Sequence, residues 1–121
     1  MAIVSIRDLK VYNEAFKLAM AIFGIAKSFP AAERYSLTSQ VVRSSRSVAA
    51  NIREGYAKRN YDKIFIRHLV DAIGSAEETR CWLEFAVECQ YIKLEKFNEL
   101  DKEYDNLSAM LFRLQQSWKK K

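Results

Sequence analysis

The residues with chemical potential fall into three sets. The first is cationic. Arg43, Arg46, Arg53, Lys58, Arg59, Lys63 and Arg67 lie within 25 residues, opposed only by Glu54 and Asp62. Guanidinium and ammonium groups at this density suit phosphate or another acidic surface. Tyr56 and Tyr61 are interleaved among them, and a phenol ring can stack on an unpaired base. Arg46, Arg53, Lys58, Arg59 and Lys63 are the expected nucleic-acid contacts. Pairing of these arginines across a subunit interface is the competing reading.

The second set is polar and helical in spacing. At about 100° per residue, Gln40, Arg43, Ser47, Asn51 and Glu54 share roughly 80° of arc. They border the apolar side made by Leu37, Val41, Val48 and Ile52, whereas Arg46 and Arg53 point a third way. A second stripe, His68, Asp71, Ser75 and Glu78, flanks another apolar face further on. If the two helices are antiparallel neighbours, the stripes meet. Arg43 and Glu78 are then expected to form a buried charge-assisted hydrogen bond, whose loss should cost ~3–5 kcal/mol. An ordinary solvated face is the alternative.

The third set is what catalysis would need, and it is thin. Glu54, Glu77 and Glu78 offer carboxylates, but no nucleophile or cleft accompanies them. His68 is the single histidine, too few for the usual zinc spacings or for a Glu-x-x-His di-iron site. The three glycines, Gly24, Gly55 and Gly74, are scattered and form no phosphate loop. Cys81 and Cys89 lie eight residues apart on one expected helix, about 12 Å, too far to bridge each other. They read as free and mostly buried thiols. No enzyme activity, cofactor or metal is expected.

Four elements must carry these sets. The chain has 121 residues, one proline and three glycines, with 50 % hydrophobic and 29 % charged residues. So few breakers in a globular composition favour long helices in a single domain, residues 1–121. After an extended lead, Ile3 to Ile6, the first helix is expected from about Asp8, its N-cap, to Lys27. Its stripe is Leu9, Tyr12, Phe16, Ala19, Phe23 and Ala26. Pro30 stops it. The second helix spans about 36–55, capped by Ser36 or Thr38 and ended by Gly55.

The third helix, about 61–90, carries Phe65, Leu69, Ala72, Ala76, Thr79, Leu83 and Ala86. Gly74 sits in its small-residue middle, where close packing is the expected compensation. The fourth, about 94–118, carries Phe97, Leu100, Tyr104, Leu107, Leu111, Leu114 and Trp118, with Lys119 to Lys121 at its C-terminus. The fold class is therefore all-α, an up-down four-helix bundle. Met20, Ile22, Val42, Ile66, Ile73, Trp82 and Val87 fall off the main stripes and suggest a second buried face, hence self-association.

Charge is uneven. Residues 1–68 carry twelve Lys/Arg against five Asp/Glu, and residues 69–121 eight against ten. The basic half is where an acidic partner is expected, RNA or DNA first and an acidic protein second. No apolar run approaches the ~20 residues of a membrane span, and MAIVSIRDLK lacks a signal-peptide layout. A cytoplasmic protein with no membrane partner is expected.

A set of residues in fixed order resembles a known family. These are Phe29-Pro30, Glu33, Leu37-Thr38-Ser39-Gln40, Arg43, Ser47, Asn51-Ile52, Glu54-Gly55, Gly74-Ser75 and Glu78-Thr79. The chain is similar to the four-helix-bundle proteins encoded in intervening sequences of bacterial 23S ribosomal RNA genes. That family includes relatives of the accessory protein of diversity-generating retroelements. The resemblance runs from about Leu9 to Leu114. It implies a four-helix bundle, a ring-shaped homo-oligomer, most often a pentamer, and a nucleic-acid-binding role. Among the retroelement relatives it implies a polymerase partner.

Overall fold

The computed structural model of the chain describes residues 5–119. The first residues of the lead and the tail's Lys120 and Lys121 lie outside them. Four helices follow one another: α1 Lys10–Ala26, α2 Leu37–Ala57, α3 Asp62–Glu88 and α4 Leu94–Lys119. Among the described residues there is no strand. Each helix packs antiparallel against the next, and α1 closes on α4 along a shorter seam. The architecture is the four-helix bundle that the stripes predict.

The helix ends are made differently from the sequence expectation. Asp8 does not cap α1. Its carboxylate accepts from the Ser5 amide (3.1 Å) while Ser5 Oγ accepts from the Arg7 amide (3.1 Å), closing a 3-10 turn over Ile6–Asp8. Leu9 then occupies the N-cap position of α1 with no side-chain cap. Neither Ser36 nor Thr38 caps α2 with its side chain; Ser36 holds the position, but Glu33 does the work. Glu33 Oε1 accepts from Ser36 Oγ (2.6 Å) and the Leu37 amide (3.3 Å), and its Oε2 accepts from the Tyr91 hydroxyl (2.8 Å). One carboxylate thus ties the α1–α2 connection to the α3–α4 turn.

Helix α3 ends at Glu88, before the expected Gln90. Gln90 takes φ 63°, the left-handed region that usually selects glycine. The Tyr91 amide donates to the Ala86 carbonyl (2.9 Å) and the Gln90 amide to Val87 (3.0 Å), a Schellman ending.

The core follows the stripes on three helices and shifts on the fourth. Phe65, Leu69, Ala72, Ala76, Thr79, Leu83 and Ala86 are all buried on α3. On α2 Leu37, Val41, Val48 and Ile52 are buried, and on α4 Leu100, Tyr104, Leu107 and Leu111 are. On α1 the core takes Val11, Ala15, Leu18 and Ile22 beside Leu9, Tyr12, Ala19 and Ala26. Phe16 and Phe23 are turned outward, 44 % and 37 % exposed, with Met20 at 54 %. Helix α1 carries two heptad-spaced apolar stripes, and the aliphatic one fills the narrow interior. Ile22, read as off-stripe, is therefore central.

Gly55 and Gly74 exchange their expected roles. Gly74 is exposed, and a Cβ there would meet nothing within 4 Å, so no close packing compensates it. Gly55 does not end α2, which runs on to Ala57. Instead it lies against α3, where a Cβ would stand 2.5 Å from His68 Cβ and 3.1 Å from Phe65 Cδ1. Cys81 and Cys89 are both exposed, contrary to expectation. Cys81 lies on α3, and Cys89 directly follows its last residue.

Candidate functional site

The α2–α3 seam gathers most of the two polar stripes. Arg43 accepts no bond and makes several. Its Nε and one terminal nitrogen reach Gln40 Oε1 at 3.2 and 3.0 Å, and the guanidinium donates to Glu78. The same Glu78 carboxylate accepts from Trp82 Nε1 (3.0 Å). One turn on, Ser47 Oγ lies 2.9 Å from Ser75 Oγ, and Asn51 Nδ2 donates back to the Ser47 carbonyl (3.0 Å). Asn51 Oδ1 meets His68 Nδ1 at 3.3 Å. Deeper in, Thr79 Oγ1 is 2.8 Å from Ser44 Oγ, and both residues are fully buried. His68 is thus a hydrogen-bonding partner of the seam.

Two stripe members stay on their own helices. Glu54 pairs with Lys58 (3.1 Å), and Asp71 faces Arg67 (3.8 Å). The Lys58 ammonium, first by its hydrogen bond and then by its charge, holds the Glu54 carboxyl below the usual range; His68 adds a smaller effect. The Arg43–Glu78 pair is not the buried one expected. Its side chains are 56 % and 35 % exposed, so solvent screens them. The seam's buried members are the hydroxyls of Ser44 and Thr79, which the sequence reading did not single out as polar partners.

The cationic set divides by what each residue rests on. Arg46 lies over the Phe23 ring at 5.4 Å, and Arg53 over Tyr12 at 5.6 Å, donating to the Tyr12 hydroxyl (3.1 Å). Arg59 lies over Tyr56 at 4.1 Å and donates to the Tyr56 carbonyl (3.0 Å). None of these three makes an ion pair among the described residues, and neither does the exposed Lys63. Lys58 alone of the five is paired, to Glu54. Tyr56 is buried beneath Arg59, which removes it as a stacking platform; Tyr61 stays 67 % exposed.

Arg46 and Arg53 also border a groove of about 310 Å³ between α1 and α2. Its floor is Phe16, Ala19, Met20, Ala49 and Ala50. Arg7 reaches the same face, 5.5 Å from the Tyr12 ring and 5.7 Å from Phe16. Lys27 stands 4.8 Å over Phe23. The face is therefore aromatic underneath and cationic on top. Cation–π contact holds each guanidinium in place without neutralising it, which leaves the charge for an external anion.

This geometry has a family. The profile of the 23S rRNA-intervening sequence proteins matches residues 7–113. The chain belongs to the 23S rRNA-intervening sequence protein family. A crystal structure of a protein of unknown function from the S23 ribosomal protein family of Bacteroides thetaiotaomicron VPI-5482 has the same fold. It is 26 % identical, with a TM-score of 0.78 over 86 % of this chain and 96 % of that one. Among curated proteins, none matches the chain. Family membership accounts for the bundle and carries no enzymatic assignment.

Sequence reasoning missed one hub in this family member. Arg80 joins α3 to α4 through Asp101 (2.8 and 3.1 Å), Asp105 (3.1 Å) and Glu77 (3.1 Å). Its guanidinium pKa is raised, first by the Asp101 hydrogen bonds, against the opposing effect of burial. The signal was Arg80 on α3 facing Asp101 and Asp105, at a four-residue spacing on α4, readable only once the register of the two helices is known.

Proposed function

We propose that the protein is a non-enzymatic, cytoplasmic, homo-oligomeric scaffold that binds RNA through its α1–α2 face and the α2–α3 corner. A single observation carries this reading. Arg46, Arg53 and Arg59 rest on aromatic rings and have no carboxylate partner among the described residues. Ion-paired arginines are already neutralised; these are oriented and available, as phosphate contacts require. Exposed thiols at Cys81 and Cys89 suit a reducing compartment. Exposed Phe85 on α3 and Phe112 on α4 support self-association, and a closed ring, a pentamer first, would repeat the cationic face and add avidity.

The test is binding to single-stranded and structured RNA across a salt series. We expect the logarithm of affinity to fall steeply with the logarithm of salt. In a folded R46E/R53E/R59E variant, affinity should drop at least about tenfold and the slope should flatten by about one per lost phosphate contact. Unchanged affinity would remove these residues from the interface. Sedimentation of a Phe112→Glu variant tests the exposed α4 surface as a subunit contact.

The apolar floor of the α1–α2 groove favours a second reading, a protein adaptor whose acidic partner covers it. A partner that survives nuclease treatment and is lost with Arg46→Glu would support the adaptor.

A further inference from the structure

A second groove lies on a different side of the bundle, between α3 and α4, with a volume of about 650 Å³. Its walls are the apolar side chains of Ile66, Val70 and Trp118. Its rim carries three cations, Lys63, Arg67 and Lys119, all exposed. Asp62 also lines it, but its carboxylate accepts from Trp118 Nε1 (2.9 Å). The indole packs edge-on against Phe65, with ring centroids 4.5 Å apart, so the Trp118 ring is oriented from beneath.

Gln115 is the feature that no packing argument explains. It lines this groove, is only 9 % exposed, and makes no hydrogen bond among the described residues. Its amide atoms are not among the sealed, unpartnered polar atoms, which are those of Thr38, Tyr56 and Tyr104. The amide therefore opens into the groove, and a primary amide there offers two donors and one acceptor. An amide open to a groove is hydrated by solvent, and a ligand edge with a matching donor and acceptor can take the place of that water.

We infer that this groove is a nucleotide-binding pocket: the base enters against Trp118 and Val70, Gln115 pairs with the base edge, and Lys63, Arg67 and Lys119 hold the adjoining phosphates. The pocket rests on the reading of the protein as a nucleic-acid binder and adds a base-reading site to it. The volume suits a nucleotide-sized ligand. The rim charge suits phosphate, and the aromatic wall suits a base face. An alkyl carboxylate would satisfy the cations but leave Gln115 unpaired, which is why a base is the better occupant. Lys63 belongs to the α2–α3 corner as well, so a strand crossing that corner can run directly into the groove.

The experiment follows Trp118 emission in a Trp82→Phe background, titrated with homopolymeric hexanucleotides of each base, with inorganic phosphate, and with decanoate. Saturable change with at least one hexanucleotide, about tenfold tighter than with the weakest base, is the expected result. Gln115→Leu should erase that preference while the protein stays folded. Val70→Glu, at an exposed position, should weaken binding of every oligonucleotide at least about tenfold.

Oligonucleotide binding with silent Trp118 emission, and with Gln115→Leu and Val70→Glu binding like wild type, would overturn the pocket and leave the wider RNA reading standing. A response to decanoate alone would overturn it in favour of an anionic amphiphile. No oligonucleotide binding at ~50 mM salt, where nonspecific phosphate contacts are strongest, would overturn both.

Discussion

Gly55→Ala should destabilise the protein, although the same change in an exposed helix interior usually helps. Alanine is favoured over glycine within a helix by about 1 kcal/mol. At Gly55 the new Cβ would sit 2.5 Å from His68 Cβ and 3.1 Å from His68 Cγ and Phe65 Cδ1. His68 Cβ is fixed to the α3 backbone, and Phe65 is fully buried, so neither can swing away. The helices must separate, which overpacking data place at about 1–3 kcal/mol. At the severe end expected for so short a contact, the net loss is about 1–2 kcal/mol.

Gly74→Ala is the built-in control. Nothing lies within 4 Å of its added Cβ, so it should gain up to about 1 kcal/mol. Urea unfolding at fixed protein concentration measures both; fixing the concentration matters because self-association shifts apparent stability. A double-mutant cycle sharpens the test. His68→Ala keeps the offending Cβ and should not relieve Gly55→Ala, whereas His68→Gly removes it and should. Gly55→Ala as stable as wild type, or equal relief by both His68 variants, would refute the close-approach argument.

Four other outcomes follow from the same contacts. Arg80→Met breaks a guanidinium cluster of three carboxylates and should cost about 2 kcal/mol by urea unfolding, whereas Arg43→Met, in a solvent-screened pair, should cost under about 1. The Glu33 carboxyl is held below its ordinary range by hydrogen bonds from Ser36 first, then Tyr91 and the Leu37 amide. Its stabilising effect is therefore complete above the ordinary carboxylate pKa and is lost as pH falls through the depressed folded value. An NMR titration should show that depression, and Tyr91→Phe should lessen it.

Tyr104 is fully buried with no partner for its hydroxyl among the described residues, and burial drives its pKa up. Tyr104→Phe should be neutral or stabilise by about 1 kcal/mol, and a loss above that would mean the hydroxyl is bonded. Gln90→Gly should stabilise by about 1 kcal/mol, because it relieves a left-handed backbone at a Schellman ending; a drop in the urea midpoint would show the side chain compensating.

What the sequence made legible was direction around each helix, and what it hid was how far a neighbour covers that direction. The α3 stripe could be read residue by residue, and all seven of its members are buried. On α1 two registers are apolar, and only the cross-section of the bundle selects Val11, Ala15, Leu18 and Ile22 over Phe16 and Phe23. Arg43 and Glu78 could be matched from two flanking stripes, but their exposure depends on the width of the α2–α3 seam. Cys81 and Cys89 read as buried because thiols usually are, and their exposure depends on the same coverage. Gly55 reads equally as a helix stop or a close approach, and only the position of His68 decides between them.

The residues that carry the family resemblance and the residues that could hold a ligand occupy different faces. Gln40, Arg43, Ser47, Asn51, Gly55, Ser75, Glu78 and Thr79 sit in or beside the α2–α3 seam, bonded to one another or limiting how closely the helices approach. Their spacing sets the register in which α2 and α3 meet. A seam of small side chains and few large apolar ones would otherwise tolerate slippage, and hydroxyl and amide pairs are satisfied in one alignment only. Arg46, Arg53 and Arg59 make none of its contacts and rest instead on Phe23, Tyr12 and Tyr56. The family pattern is therefore a pattern for building the bundle. It fixes the frame on which the outward cations of this chain are displayed. For this chain, the ligand has to be sought on the α1–α2 face and in the α3–α4 groove, where the pattern makes no demand.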